Sequence, residues 1–289
     1  MAEAVNKTNT RVERETQYTV AEMETTARRL RRDIVMMLGR AGSGHPGGSL
    51  SAVEIISSLY LRVMQHNPGN PHWPDRDRFV VSKGHSAPAL YAVLVECGYL
   101  PKEELSTLRQ LGSRLQGHIT RNLDIGIEMS SGSLGQGLSF GIGIALAGRL
   151  DSRQYRVYVL LGDGECNEGS TWEAVLFAGH HNLDNLIAII DYNKIQAMGS
   201  TRDIMDLDPF ADKWKCFGWA VHEVDGHNLD EIETVLGQIP FESSHPSCVI
   251  AHTVKGKGVS FMENDVLWHY RSPHGEEFEA ALKELEETR

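Results

Sequence analysis

The sequence predicts an α/β protein whose core is a mostly parallel sheet with helices on both faces. Three observations lead there. Short apolar, β-branched runs alternate with helix-period patterns along the chain, as in βαβ units. Several of those runs end in glycine-rich loops that open into the next helix. The composition, 41% hydrophobic and 23% charged over 289 residues, is that of an ordinary globular chain. No repeat or linker follows residue 20, so we expect a polar arm over 1–19 and one domain over 20–289.

The elements follow in order. From Val20 to Gly39 an amphipathic helix carries Met23, Ala27, Leu30, Ile34 and Leu38 on one stripe and stops at glycine. The turn AGSGHPGGS places His45 in a loop, with a second helix beginning near Ser49. Arg78 to Ser82 reads as a strand, followed by Lys83-Gly84-His85 and a helix through Cys97. Pro101 to Leu111 reads as a short helix opening at proline. The stretch 130–150 is a loop leading into a helix of small residues, suited to close packing. Strands follow at Arg156 to Leu161, from Leu186 to Asn193, at Trp219 to Val224 and at Ser247 to Thr253, with helices over Gly169 to His181 and Leu229 to Leu236. The charge-rich carboxyl end reads as a solvated helix.

A net charge of −11 offers no basic field for nucleic acid or an anionic membrane surface. The first twenty residues contain no apolar signal-like core, and the apolar runs fall far short of the roughly 20 residues a membrane span needs. Cys97, Cys166, Cys216 and Cys248 are widely spaced, as expected of free thiols, mostly buried, in a reducing compartment. These features predict a cytoplasmic protein.

Ligands of open parallel sheets gather at the carboxyl ends of the strands. Two such ends deliver Gly162-Asp163-Gly164 and Asp191-Tyr192-Asn193, so Asp163 and Asn193 could stand on neighbouring strands. Oxygen donors there suit a hard cation such as Mg²⁺, and the glycines leave room for a diphosphate. By spacing alone, a G-D-G after a strand is more often a simple turn than a metal site. Isolated histidines such as His222, His227 and His252 read as packing or surface residues, whereas His45 and His85 lie in glycine-rich loops, where functional groups concentrate.

The block GDGECNEGSTWEAVLFAGHHNLDNLIAIIDYNKIQAMG resembles the thiamine-diphosphate motif of transketolases, and four further segments agree in order: SGHPGGSLS at 43–51, RFVVSKGHSAPALY at 78–91, GSLGQGLSFGIGIALA at 132–147 and TVKGKGVSFMENDVLWH at 253–269. The resemblance runs from about residue 20 to 270, matches the amino-terminal half of the family, and is nearest to its split form. It implies the thiamine-diphosphate-binding fold, with Asp163, Asn193 and the Ile195 carbonyl as ligands of Mg²⁺ or another divalent cation such as Ca²⁺. His85 and His269 match histidines near the diphosphate and reaction centre, and His45 and His118 match those that touch the sugar. Gly132, Gly162 and Gly164 belong to the cofactor loops. Leu134 matches the residue that props the cofactor in its bent form, and Glu168 and Glu173 match acids between the two active sites of the family's dimer, or else serve as helix-start charges.

In one departure, Ile119 stands where the family usually has proline after Gly117-His118, so the loop near the sugar is expected to differ. The matched region also does not include a pyrimidine-binding domain with its activating glutamate. The resemblance therefore implies ketol transfer from a ketose to an aldose by this chain with a carboxyl-terminal transketolase subunit, as a dimer of heterodimers. Rival readings are a subunit of a 2-oxo acid dehydrogenase or deoxyxylulose-phosphate synthase, or a catalytically silent cofactor-binding scaffold.

Overall fold

The computed structural model describes residues 18–287. The polar arm expected over 1–19 falls outside them, apart from Tyr18 and Thr19. Helix α1 (Val20–Ala41) starts where Thr19 and Glu22 close a reciprocal capping box and ends at Gly42, whose φ of 63° satisfies a left-handed cap. Its expected apolar stripe is buried throughout.

Five strands form one all-parallel sheet in the order β1-β2-β3-β5-β4, with β1 at Arg78–Val81, β2 at Val157–Gly162, β3 at Leu186–Tyr192, β4 at Ala220–Asp225 and β5 at Ser247–His252. β2 and β3 are buried along their whole length, which is why they read as continuous apolar runs, whereas the edge strand β4 is buried only at Ala220 and Val224. Successive β2 residues serve opposite faces. Tyr158 and Leu160 join a core with α1, α4 (Ala87–Glu96) and α9 (Leu229–Gly237), while Val157, Val159 and Leu161 join a core with α5 (Gly137–Leu150) and α6 (Gly169–His180). The small residues of α5 do the packing expected of them: a Cβ at Gly141 would stand 2.6 Å from Val159 Cγ2.

Four local expectations are corrected. The helix expected from Ser49 begins earlier, because Pro46 occupies the first turn of α2 (Pro46–Leu50) and leaves His45 as its N-cap. It then breaks, resuming as α3 (Val53–Ser58) and a π-helical turn, Leu59–Val63. The segment after Pro101 is a 3₁₀ helix, Lys102–Thr107, in which the Ser106 and Thr107 hydroxyls donate to carbonyls three residues back and compete with α-helical bonding. Two short helices, α7 (Thr201–Ile204) and α8 (Phe210–Cys216), had no sequence counterpart. The carboxyl-terminal helix is α10 (Glu276–Glu287), and it packs on α1.

None of the four cysteines is in a disulfide, and Cys166 and Cys248 are buried, Cys97 is half-buried and Cys216 is exposed. Among the described residues no helix is long and apolar enough to cross a membrane.

Candidate active site

The register pairs Gly162 with Asp191, so the ends of β2 and β3 lie side by side and deliver Asp163 and Asn193 together. Asp163 is buried and accepts from the Gly164 N–H at 2.7 Å and from the Lys194 N–H. Burial, and then the neighbouring Asp191 charge, push its carboxyl up to about 6. Asn193 Oδ1 accepts from the Ile195 N–H at 3.1 Å, which ties Ile195 to the end of β3. Among the described residues no cluster of three or more His, Cys, Asp or Glu could hold a metal. The residues that the resemblance names offer instead one carboxylate, one amide and one carbonyl oxygen. These oxygens suit a hard cation, because a buried carboxylate whose hydrogen bonds come from backbone donors, raised by burial and by Asp191 and opposed by the charge of Lys255 alone, gains from a further positive charge.

Two buried lysines form the middle of the site; sequence reading gave neither a site role, although Lys255 opens the KGKG segment at 255–258. Lys83, immediately after β1, reaches the Asp191 carboxylate and donates to the Gly48 carbonyl at 3.1 Å. Burial alone would raise Asp191, but Lys83, with the Ser51 and Thr253 hydroxyls, holds its carboxyl below the ordinary value. Lys255 donates from Nζ to the Ile195 carbonyl at 3.2 Å. Its ammonium is lowered to about 8 by burial and by Lys83, against the pull of Asp163 and Asp191. Gly256 turns the chain after it at a φ of 78°, and a Cβ there would stand 2.2 Å from the Met262 carbonyl oxygen.

The four expected histidines converge although they lie far apart in sequence. The His45 ring centroid is 5.2 Å from that of His85, 5.5 Å from His118 and 5.6 Å from His269, and Tyr270 packs against it at 4.6 Å. His85 and His269 are 5.7 Å apart. Burial, then the charges of Lys255 and Lys83, lower His269 to about 4. Burial, with His269, His118, Arg109 and Lys255 around it, lowers His45 to about 3. His85 lies well below its ordinary value, through burial and then Lys83. Nδ1 of both His45 and His269 is buried without a hydrogen-bond partner. These imidazoles are therefore neutral at pH 7, with nitrogen atoms free to accept or donate. Approach is close: a Cβ at Gly48 would stand 3.2 Å from His85 Nε2.

The loop 130–137 closes over the strand ends through an acid that sequence reading missed. Glu165, not Glu168, is buried. It accepts from the Ser82 hydroxyl, from the Gly135 N–H at 2.8 Å and from the Gly162 N–H at 3.1 Å. Burial pushes its carboxyl up, although each of these bonds opposes the shift. Gly132 is exposed beside His118, its Cβ position 3.7 Å from His118 Cδ2, and Leu134 is half-buried on the same loop. Glu168 and Glu173 are exposed at the start of α6 and along it. Of the histidines read as packing or surface groups, His252 pairs with Glu223 at 2.7 Å and His222 lies against Phe241, whereas His227 bonds Glu54 and the Val254 N–H beside the Lys255 loop.

Comparison with known proteins agrees with this geometry. The family profile described as "Transketolase, thiamine diphosphate binding domain" matches residues 20–285. The chain is 45% identical to the 6-deoxy-6-sulfo-D-fructose transketolase subunit SqwG of Clostridium sp. (strain MSTE9), over 92% of this chain and 96% of that protein. It is 41% identical to an apulose-4-phosphate transketolase subunit of Phocaeicola vulgatus, over 93% of this chain and 95% of that protein. Among solved structures, the transketolase of Campylobacter jejuni superposes with a TM-score of 0.86 at 32% identity, covering 93% of this chain and 43% of that one. The chain thus spans about two fifths of that solved structure and nearly the whole of the two subunits.

Proposed function

The chain belongs to the transketolase family, and from that premise we propose that it is the amino-terminal subunit of a split transketolase, transferring a two-carbon ketol unit from a ketose to an aldose. The observation that carries this reading is the convergence of His45, His85, His118 and His269 beside the strand ends bearing Asp163 and Asn193. Asp163, Asn193 and the Ile195 carbonyl would hold Mg²⁺ or a similar divalent cation, which would supply positive charge to offset an anionic diphosphate. Thiamine diphosphate supplies, when bound, the carbon nucleophile and electron sink of the reaction.

The chain's own residues do the rest. Lys83 and Lys255 present ammonium groups beside the cation ligands and suit an anionic diphosphate. Gly162, Gly164 and Gly132 leave the backbone accessible, and Leu134 stands on the loop that would support the bent cofactor. Neutral His45 and His118 would hydrogen-bond sugar hydroxyls, while His85 and His269 would take or give a proton near the reacting carbon. Sequence similarity to transketolase subunits over nearly their full length supports this reading over a 2-oxo acid dehydrogenase or deoxyxylulose-phosphate synthase. The presence of Asp163, Asn193 and His85 supports an active subunit over a silent scaffold.

The two subunit relatives are named for sugars bearing a sulfonate or a phosphate. We carry that class over to this chain, as an anionic ketose donor. A partner subunit would supply the pyrimidine-binding domain and its glutamate. Phe140 of α5 and Leu176 and Phe177 of α6 leave an exposed apolar face suited to subunit contact, with exposed Glu168 and Glu173 at its edge, whereas the helix after Ser49 is buried within the chain. The test is reconstitution with the candidate partner at saturating thiamine diphosphate and Mg²⁺, assaying ketol transfer and mass. We expect turnover only from the two-subunit complex, as a dimer of heterodimers; robust turnover by the chain alone would refute the half-site assignment.

A further inference from the structure

Arg109 belongs to none of the motifs above, yet its side chain lies against both sugar-facing histidine loops. Its backbone adopts a φ of 63°, a left-handed conformation that non-glycine residues keep only when their surroundings enforce it. The Arg109 N–H donates to the Leu115 carbonyl at 2.8 Å and closes the loop, and Tyr91 anchors the next residue through the Gln116 carbonyl at 3.0 Å. This turn sends the guanidinium across Gly117, where a Cβ would meet Cζ at 2.7 Å and Nε at 2.8 Å. The same group reaches toward Gly44, whose Cβ position is 3.9 Å from Nη1. One planar cation therefore touches the backbone just before His118 and approaches the backbone just before His45. Nη1 is buried without a hydrogen-bond partner.

We propose that Arg109 is a positioning residue for ketol transfer, a planar spacer between the Gly44-His45 and Gly117-His118 loops that fixes how the two imidazoles present themselves to the sugar. The proposal rests on the transketolase reading and adds a residue to it. A guanidinium suits the role because its flat face stacks on a glycine peptide, and Gly117 admits it only because it lacks a Cβ. Its charge has a second consequence. His118 is lowered by burial and then by Arg109, and the other group facing it is His45. His45 faces His85, His118, His269, Tyr270, Arg109 and Lys255, so every charged neighbour of either imidazole disfavours protonation. A neutral imidazole can then accept a hydrogen bond from a sugar hydroxyl.

Two variants separate geometry from charge: Arg109→Met keeps the length without the charge, and Arg109→Lys keeps the charge without the plane. Imidazole NMR titration of the full chain should show the His118 midpoint rising in Arg109→Met and staying near wild type in Arg109→Lys. In the complex with its partner subunit, both variants should lose about 10- to 100-fold in kcat/KM for the donor sugar, as expected of displaced reacting groups. Thiamine diphosphate affinity should stay within about twofold, since the loss belongs to the sugar site. Should Arg109→Met fail to fold, Arg109→Lys decides: a fall in kcat/KM with an unmoved His118 midpoint supports the spacer. An unmoved midpoint in a folded Arg109→Met, wild-type kcat/KM in either variant, or a loss that tracks cofactor affinity would overturn the proposal. A wild-type complex without ketol transfer would instead defeat the functional reading, while the titration would still report on Arg109.

Discussion

Replacing Glu54 by glutamine should weaken the fold and the cofactor site together. Glu54, on α3, accepts from Arg31 Nη1 and Nη2 at 2.6 Å each, both residues buried, and from half-buried His227 Nδ1 at 2.9 Å. His227 Nε2 in turn accepts from the Val254 N–H at 2.8 Å, which fixes the tautomer: Nδ1 carries the proton and gives it to Glu54. Val254 lies between Thr253, bonded to Asp191, and Lys255, bonded to Ile195, so this chain of contacts holds the loop carrying half of the site. Burial alone would raise Glu54, but Arg31 and His227 bring it down to about 2 from 4.5. At about 1.4 kcal/mol per pH unit, the folded state favours the anion by about 3 kcal/mol. That agrees with the roughly 3–5 kcal/mol lost when one partner of a buried ion pair is removed. Glu54→Gln should therefore cost about 3 kcal/mol at pH 7 by urea denaturation and lower thiamine diphosphate affinity in the complex. Because the folded carboxyl is depressed, its contribution is fully present above pH 4.5 and is lost as pH falls toward 2, so the gap to wild type should close across that window. The double variant Arg31→Met, Glu54→Met should be more stable than Glu54→Met alone. A Glu54→Gln protein within about 1 kcal/mol of wild type at pH 7, or a gap unchanged between pH 7 and pH 3, would refute this account of the network.

Three further outcomes follow from the site. Lys83→Met leaves the Asp191 carboxylate buried without its ammonium and should destabilise the chain by about 3–5 kcal/mol, with part recovered on adding Asp191→Asn; equal losses in the single and double variants would contradict the pairing. Asp163→Ala should abolish cation-dependent thiamine diphosphate binding in calorimetry while circular dichroism stays unchanged, because the carboxylate lies at a strand end held by backbone donors. Unaltered affinity would remove Asp163 from the ligand set. His118→Ala should raise the donor KM or lower kcat far more than it weakens cofactor binding; a change confined to cofactor affinity would place His118 with the diphosphate residues.

The apolar runs of β2 and β3, and the Gly162-Asp163-Gly164 and Asp191-Tyr192-Asn193 segments that end them, were legible in the sequence because strand burial and chain reversal are local properties. So were the α1 stripe and its glycine stop, and the resemblance matched His45, His85, His118 and His269 to one family site. What remained hidden is contact across the sheet order. β5 inserts between β3 and β4, and that placement brings Thr253 and Lys255 against Asp191 and Ile195. Lys83 with Asp191, Arg31 with Glu54 and His227, and Glu165 with Ser82 and Gly135 join residues 23 to 173 positions apart. No periodicity encodes such pairs. A charged residue can be buried only where a distant segment supplies its counter-charge or donor, and that segment arrives only when the parallel strands have found their order. The sequence alone determined which strand ends carry Asp163 and Asn193; the tertiary structure decided which buried charges and neutral imidazoles stand beside them.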